Sequence, residues 1–166
     1  MVQAATDMGY EYIAITDHSA GLGVARGLSD DRLRDRLWDI RKLQDKFSIR
    51  IFIGSEVDIR ADGTLDYPDD LLDELDIVVA SVHSAMGQDS EVMTHRLLSA
   101  MNHQSVTIIG HLTTRIIGQR PPVQCDIELI LEVAKRTGTV LEINSSPERL
   151  DLKDTHARLA KQKGVP

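Results

Sequence analysis

The stretch Ile51-Phe52-Ile53-Gly54-Ser55-Glu56-Val57-Asp58-Ile59 decides how the rest of the chain is read. Its apolar, β-branched residues predict a buried strand, yet Glu56 puts a carboxylate near its end. Burying a carboxylate without a partner is costly, so Glu56 points to a metal or a cluster of donors at that place. Three further strand candidates end in the same manner. Tyr12-Ile13-Ala14-Ile15-Thr16 runs into Asp17-His18, Ile77-Val78-Val79-Ala80-Ser81-Val82 into His83, and Val106-Thr107-Ile108-Ile109-Gly110 into His111. Side chains at the carboxyl ends of successive parallel strands converge on one face of an α/β barrel. His18, Glu56, His83 and His111 are therefore read as one site.

With 166 residues, 42% of them hydrophobic and only 4% aromatic, the chain is expected to be one domain over 1–166. Aliphatic side chains must then fill its core, which suits helices packed on a parallel sheet. The formal charge of −7, from 19 basic and 26 acidic residues, argues against non-specific nucleic-acid binding through a basic face. Local arginines or a metal remain able to hold a phosphate. A single cysteine, Cys125, excludes an intrachain disulfide and agrees with a reducing compartment. With no run of membrane-spanning length, the expected location is the cytoplasm.

Around the central strand, helical and strand patterns alternate. Residues 2–8 suit a helix stopped by Gly9, and Ser29 or Asp30 is placed to cap a helix whose Leu33, Leu37, Ile40, Leu43 and Phe47 share one face. Trp38 beside that stripe is read as packing. Asp62-Gly63 marks a turn, and residues 68–75 a short helix. Gly87 to Ser90 opens a helix carrying Val92, Met93, Leu97, Leu98 and Met101. Asp126 begins another, closed by Gly138 before the strand Thr139–Ile143. The alternation predicts a parallel sheet of about five strands with right-handed crossovers. The chain opens on a helix without a cap and ends on helix, glycine and an apolar start at Lys163-Gly164-Val165. That rhythm predicts a barrel truncated at both ends, with open edges prone to self-association.

The candidate ligands lie 38, 27 and 28 positions apart, far from zinc-finger spacing. Imidazole and carboxylate donors suit Zn²⁺, Mn²⁺ or Fe²⁺ and, without cysteine, an open site that activates water for phosphoester hydrolysis.

The segments Thr16-Asp17-His18-Ser19, Gly54-Ser55-Glu56-Val57-Asp58-Ile59, Ser81-Val82-His83-Ser84, Gly110-His111-Leu112-Thr113 and Leu141-Glu142-Ile143-Asn144 together resemble the PHP (polymerase and histidinol phosphatase) domain. Asp62-Gly63-Thr64-Leu65-Asp66-Tyr67-Pro68 and Pro147-Glu148-Arg149-Leu150-Asp151-Leu152 narrow the resemblance to the version joined to bacterial and archaeal X-family DNA polymerases. The resemblance implies a distorted (β/α)7 barrel holding up to three divalent ions, manganese or zinc with iron a further candidate. It also implies 3′→5′ exonuclease or related phosphoesterase activity in DNA repair. By its motifs Glu56 matches a carboxylate bridging two metals, His83 and His111 its partners on one of them, and His18 a ligand of another. The family's early His-x-His and late Asp-x-His have no counterpart here, which implies one site complete in protein ligands, with Glu56, His83 and His111, the others stripped, and one ion for this chain; Leu112 stands where the family often has proline.

Other residues carry weaker signals. Asp17 either orients His18 or caps a turn, and Asn144 either faces substrate or makes a turn. Arg26, Arg115 and Arg149 follow strands and are candidate phosphate clamps. His95, His103 and His156 read as surface. The main expectation is a phosphoesterase acting on a DNA 3′ end with a polymerase domain upstream. The alternatives are a non-catalytic metal-binding module and a small-molecule phosphatase of histidinol phosphatase type.

Overall fold

The computed structural model describes residues 1–21 and 26–166. Helices and strands alternate as α1 (Val2–Asp7), β1 (Tyr12–His18), α2 (Asp30–Gln44), β2 (Arg50–Asp58), α3 (Asp69–Leu72), β3 (Ile77–Ser81), α4 (Ser90–Met101), β4 (Ile108–Ile109), α5 (Ile127–Thr137), β5 (Val140–Leu141) and α6 (Asp154–Lys163). The five strands are all parallel and lie side by side in chain order. Repeated βα units produce this order, and the sheet with its flanking helices is the arc of a distorted α/β barrel.

Alternation along each strand sorts side chains onto two faces. Ile51, Ile53 and Val57 of β2, Val78 and Ala80 of β3, and Ile109 of β4 are buried on the helical side. Leu33, Leu37 and Ile40 of α2 and Met93 and Leu97 of α4 complete that core. Each buried valine, leucine, isoleucine or methionine among them contributes roughly 1.5–3 kcal/mol by leaving water. Caps fix where the helices begin and end. Asp89 accepts a hydrogen bond from the Val92 amide and Asp126 one from the Leu129 amide, while Gly138 ends α5 at φ 76°.

Several local expectations need correction. Ser29 occupies the N-cap of α2, but its hydroxyl makes no capping bond. Trp38 is 59% exposed rather than packed, with Lys42 Nζ 2.9 Å from its ring centroid. Val92 is exposed because it lies off the buried face of α4. The α3 helix is one turn, shorter than the expected 68–75.

Strands expected over 106–110 and 139–143 shrink to two residues each. Backbone pairing continues slightly further, since Gly110 N donates to Ala80 O and Glu142 N to Ile109 O, each at 3.0 Å. The chain then leaves the sheet because His111 adopts φ 26°, and because Asn144 pairs with Asp151 in an antiparallel bridge. In the loop after β1, Gly23 lies outside the described residues. Gly27 is required there, as a Cβ would sit 1.8 Å from the carbonyl oxygen of Ser19.

Candidate metal centre

Register places the first two candidate ligands. His18 is the direct neighbour of Glu56 across the β1–β2 ladder, and Glu56 pairs with Val79 of β3. Parity then puts His18, Glu56, Asp58 and the residues two apart from Val79, Ser81 and His83, on the face opposite the helical core. On the same count Ile108 and Gly110 share this face with Val140 and Glu142. His111 falls out of phase. Its positive φ, uncommon for a residue with a side chain, breaks the alternation and brings the ring back to the site.

All four expected side chains meet. Glu56 Oε1 lies 3.1 Å from His111 Nε2 and 3.3 Å from His83 Nε2, and Oε2 lies 3.6 Å from His18 Nε2. The His83 ring stands edge-on between the other two, with centroids 5.3 Å from His18 and 5.1 Å from His111. Donor atoms of His18, Glu56 and His83 all fall within 4.8 Å of one another. This adds His18 to the group, whereas the resemblance implied a separate ion for it. The two oxygens of Glu56 nevertheless face different histidines. Bonds of about 2.1 Å around a tetrahedral ion separate its ligands by about 3.4 Å, so these spacings fit a divalent ion.

Electrostatics support the same reading. Burial pushes the Glu56 carboxyl up, but the hydrogen bonds of His111 and His83 and the nearby His18 outweigh it and hold the group well below the usual carboxylate range. Burial pulls the His83 imidazole down, while bonds to Asp58 and Glu56 more than offset this and raise it to about 9. Without an ion His83 is thus a cation between two carboxylates. A divalent ion held by His83 Nε2 would take the place of the proton there.

Two positioning residues were missed by sequence reasoning. Asp58 Oδ1 lies 2.9 Å from His83 Nδ1, keeping a proton there and leaving Nε2 for a ligand bond. Its position two residues beyond Glu56 on the same strand face was the available signal. Glu142 Oε2 accepts the backbone N–H of His111 at 2.5 Å and so holds the out-of-phase residue in place. Gly110, just before it, lets the Ser81 side chain close in, because a Cβ there would lie 2.4 Å from Ser81 Oγ. Behind Asp58, the buried Arg96 donates from Nε to the Ile59 carbonyl and from Nη1 to the Ser84 carbonyl, tying together the loops that follow β2 and β3.

The remaining candidates lie as follows. Asp17 is on the other side of the sheet from His18 and accepts a bond from Arg36 Nε at 3.1 Å, so it does not orient the imidazole. Asn144 Oδ1 accepts the Ser146 amide in a turn, and its Nδ2 donates to Glu142 at 3.4 Å. Arg115 grips the backbone carbonyls of Arg149 and Leu150. Arg149 Nη1 is buried with no protein partner. Arg26 is exposed at φ 53°. His95 is exposed and His103 contacts Asp69, but His156 is half-buried with an unpartnered Nδ1, not a surface group.

No helix among the described residues is long and apolar enough to cross a membrane. A family model described as "PHP domain" matches residues 1–146. The chain is 46% identical over 166 residues to the "DNA polymerase/3'-5' exonuclease PolX" of Bacillus subtilis (strain 168), covering 99% of this chain and 29% of that protein. It is 33% identical over 146 residues to a "Probable phosphatase" of Thermoanaerobacter sp. (strain X514), covering 83% of this chain and 54% of the relative. A further "Probable phosphatase", from Shewanella sediminis (strain HAW-EB3), is 30% identical over 162 residues, covering 94% and 60% respectively. The chain therefore spans under a third of the first relative and little more than half of the others. With the strand-end histidines, the shared glutamate and the family match in agreement, this chain belongs to the PHP domain family, and its likeness extends to the PHP domain of X-family DNA polymerases.

Proposed function

We propose that this chain is a metal-binding PHP module that hydrolyses phosphoesters. The observation that carries this reading is Glu56, whose two oxygens face His83 and His111 on one side and His18 on the other. A divalent ion held there supplies Lewis acidity toward a phosphoryl oxygen. Manganese and zinc are the first candidates and iron the next. One ion is proposed for the donors of this chain and up to three for a complete domain. His18, Glu56, His83 and His111 hold the ion, Asp58 fixes the His83 tautomer, and Arg26, Arg149 and Asn144 are proposed on the substrate side, with Arg115 behind Arg149.

A small phosphomonoester is the substrate class that the phosphatase relatives and the acidic net charge favour. The second reading is a DNA 3′ end, cleaved in a parent protein that also carries a polymerase domain; the relative named a polymerase and 3′-5′ exonuclease supports it. We assign residues 1–166 to one domain whose β1 edge, paired on one side only among the described residues, drives self-association.

The test combines binding and turnover. Calorimetric titration with Mn²⁺ or Zn²⁺ should give saturable binding that Glu56→Gln weakens severely. With manganese, release of phosphate from p-nitrophenyl phosphate supports the first substrate class, and release of nucleotides from 3′-labelled single-stranded DNA the second. Ion binding without either turnover marks a non-catalytic module. Absence of ion binding defeats the whole reading.

A further inference from the structure

The buried face of α4 carries one charged side chain. Arg96 is only 2% exposed and lies in the same stripe as Met93, Leu97 and Ala100. Every hydrogen bond that its guanidinium makes among the described residues goes to a neutral oxygen. Nε donates to the Ile59 carbonyl at 3.1 Å and Nη2 to the same oxygen, while Nη1 donates to the Ser84 carbonyl and to Gln88 Oε1, each at 3.0 Å. A buried cation without an anionic partner is held against the cost of leaving water, which a leucine in its place would not incur. Departures of this kind from the local pattern gather at functional sites, so its acceptors are informative.

Two of those acceptors adjoin the metal centre, since Ile59 follows Asp58 and Ser84 follows His83. Pairing of β2 with β3 ends at Asp58 and Ser81, so His83 stands two residues past the last rung and the ladder does not fix it. Beyond it the chain turns at Ala85, whose φ of 49° is uncommon for a residue with a side chain. Gln88 closes this turn. Its amide donates to the Ala85 carbonyl at 3.3 Å, its Nε2 donates to the Ala61 carbonyl at 2.8 Å, and its Oε1 accepts from Arg96. The loop after β2 rests on the same part of the helix, as a Cβ on Gly63 would lie 3.5 Å from Arg96 Cα and 2.9 Å from Ser99 Cβ. One planar fork thus ties together two loops whose preceding residues, Asp58 and His83, meet at 2.9 Å.

We propose that Arg96 is a positioning residue of the metal centre: by fastening the Ile59 and Ser84 carbonyls to one rigid group, it holds His83 Nδ1 against Asp58 and aims Nε2 at Glu56. Lysine does not replace it, because a single ammonium lacks donors in the fixed directions that the two carbonyls require. That the aimed Nε2 binds an ion rests on the metal-binding reading, whereas the hold on the His83–Asp58 pair does not.

Two readouts on the full chain separate these claims. In chelator near neutral pH, nuclear magnetic resonance of protein with ring-¹⁵N-labelled histidine should show a slowly exchanging His83 Nδ1 proton, assigned by its absence from His83→Gln. It should persist in Leu97→Ala, which loosens the same helix without touching the bonds of Arg96, and vanish in Arg96→Met and Arg96→Lys. Its absence from the unmodified protein, or its persistence in either Arg96 variant, overturns the proposal. Calorimetric titration with Mn²⁺ should show affinity reduced roughly tenfold in both Arg96 variants and changed by no more than about twofold in Leu97→Ala. Equal losses in Arg96→Met and Leu97→Ala, or full affinity in Arg96→Lys, likewise overturn it. Should the Arg96 variants fail to fold, Gln88→Ala decides: it lies outside the core, removes one acceptor of Arg96 and unties Ala61, and should weaken Mn²⁺ binding roughly threefold. Unchanged affinity in Gln88→Ala then overturns the proposal. If the unmodified protein binds no Mn²⁺ while the Nδ1 proton behaves as described, the metal-binding reading fails and the hold of Arg96 on the pair stands.

Discussion

The two halves of the sheet position ligands by different means. Strands β1 and β2 pair over seven consecutive residues, whereas β4 and β5 pair over two. In the first half the ladder itself sets His18 beside Glu56. In the second, His111 departs from strand geometry and is held by side chains gripping backbone: Glu142 on its own amide, Asp151 on Thr113, Arg115 and Arg120 on the loops around it. Regular pairing places a ligand by repetition. Irregular pairing places it through individual hydrogen bonds, each of which one substitution removes.

Asp151→Ala tests that contrast most severely. The carboxylate is 0% exposed and satisfies both the amide and the hydroxyl of Thr113. Its loss leaves a buried N–H without an acceptor, and chemical denaturation should show a destabilisation of about 3 kcal/mol. Hydrogen exchange should report opening centred on residues 111–116 while the β1–β2 amides stay protected. Equal loss of protection in both halves contradicts the division.

Glu56→Gln acts in the opposite sense. It removes the shared anion without disturbing the ladder, so ion affinity should fall by more than about 100-fold, near 2.7 kcal/mol, with the far-ultraviolet spectrum unchanged. Asp58→Asn should cost less, about 10- to 100-fold in ion affinity, because it alters only how the His83 ring is held. Isothermal titration with Mn²⁺ ranks the two, and a larger loss from Asp58→Asn than from Glu56→Gln reverses their assigned roles.

These contrasts also explain what was legible in the sequence. The apolar runs of β1, β2 and β3 and the run over 106–110, each ending in a ligand, disclose the parallel sheet and all four metal-facing residues because strand period and burial are local properties. The family motifs supply the rest of the fold class. The short ladders of β4 and β5 were not legible, since what ends them is a positive φ at His111 and a bridge from Asn144 to Asp151. Both depend on contacts distant in sequence. Asp58 was hidden for a different reason: it reads as the polar end of a strand until His83, 25 residues later, is brought against it. Asp17 misled because adjacency in sequence to His18 means opposite faces of a strand.

In chelator, pH separates the protein's stability from its ion affinity. His83 is raised from an ordinary 6.5 to about 9, so its contribution is complete below pH 6.5 and is lost as pH climbs through 9. Glu56 is lowered from an ordinary 4.5, so its contribution is present above pH 4.5 and is lost as pH falls further. Metal-free protein should therefore melt highest between about pH 4.5 and 6.5. Ion binding needs His83 without its Nε2 proton, and Mn²⁺ affinity should instead rise with pH toward 9. Asp58→Asn should flatten both slopes; unchanged slopes place the titrating group elsewhere.

The smallest effect is expected at Trp38, which lies outside both halves of the sheet. An indole this size ordinarily marks a core or a binding surface, but here it is 59% exposed and covered on one face by the Lys42 ammonium. A cation over an exposed ring contributes about 0.5–1 kcal/mol, and little apolar area is returned to water when the ring is removed. Trp38→Ala should thus shift the denaturation midpoint by no more than about 1 kcal/mol. Ion affinity should not change at all, because α2 packs on the face of the sheet opposite the metal-facing side chains, where its Arg36 meets Asp17. A fall in Mn²⁺ affinity on replacing Trp38 would mean that the β1–β2 ladder yields to the helix packed on it, and that the regular half of the sheet is no more self-sufficient than the irregular one.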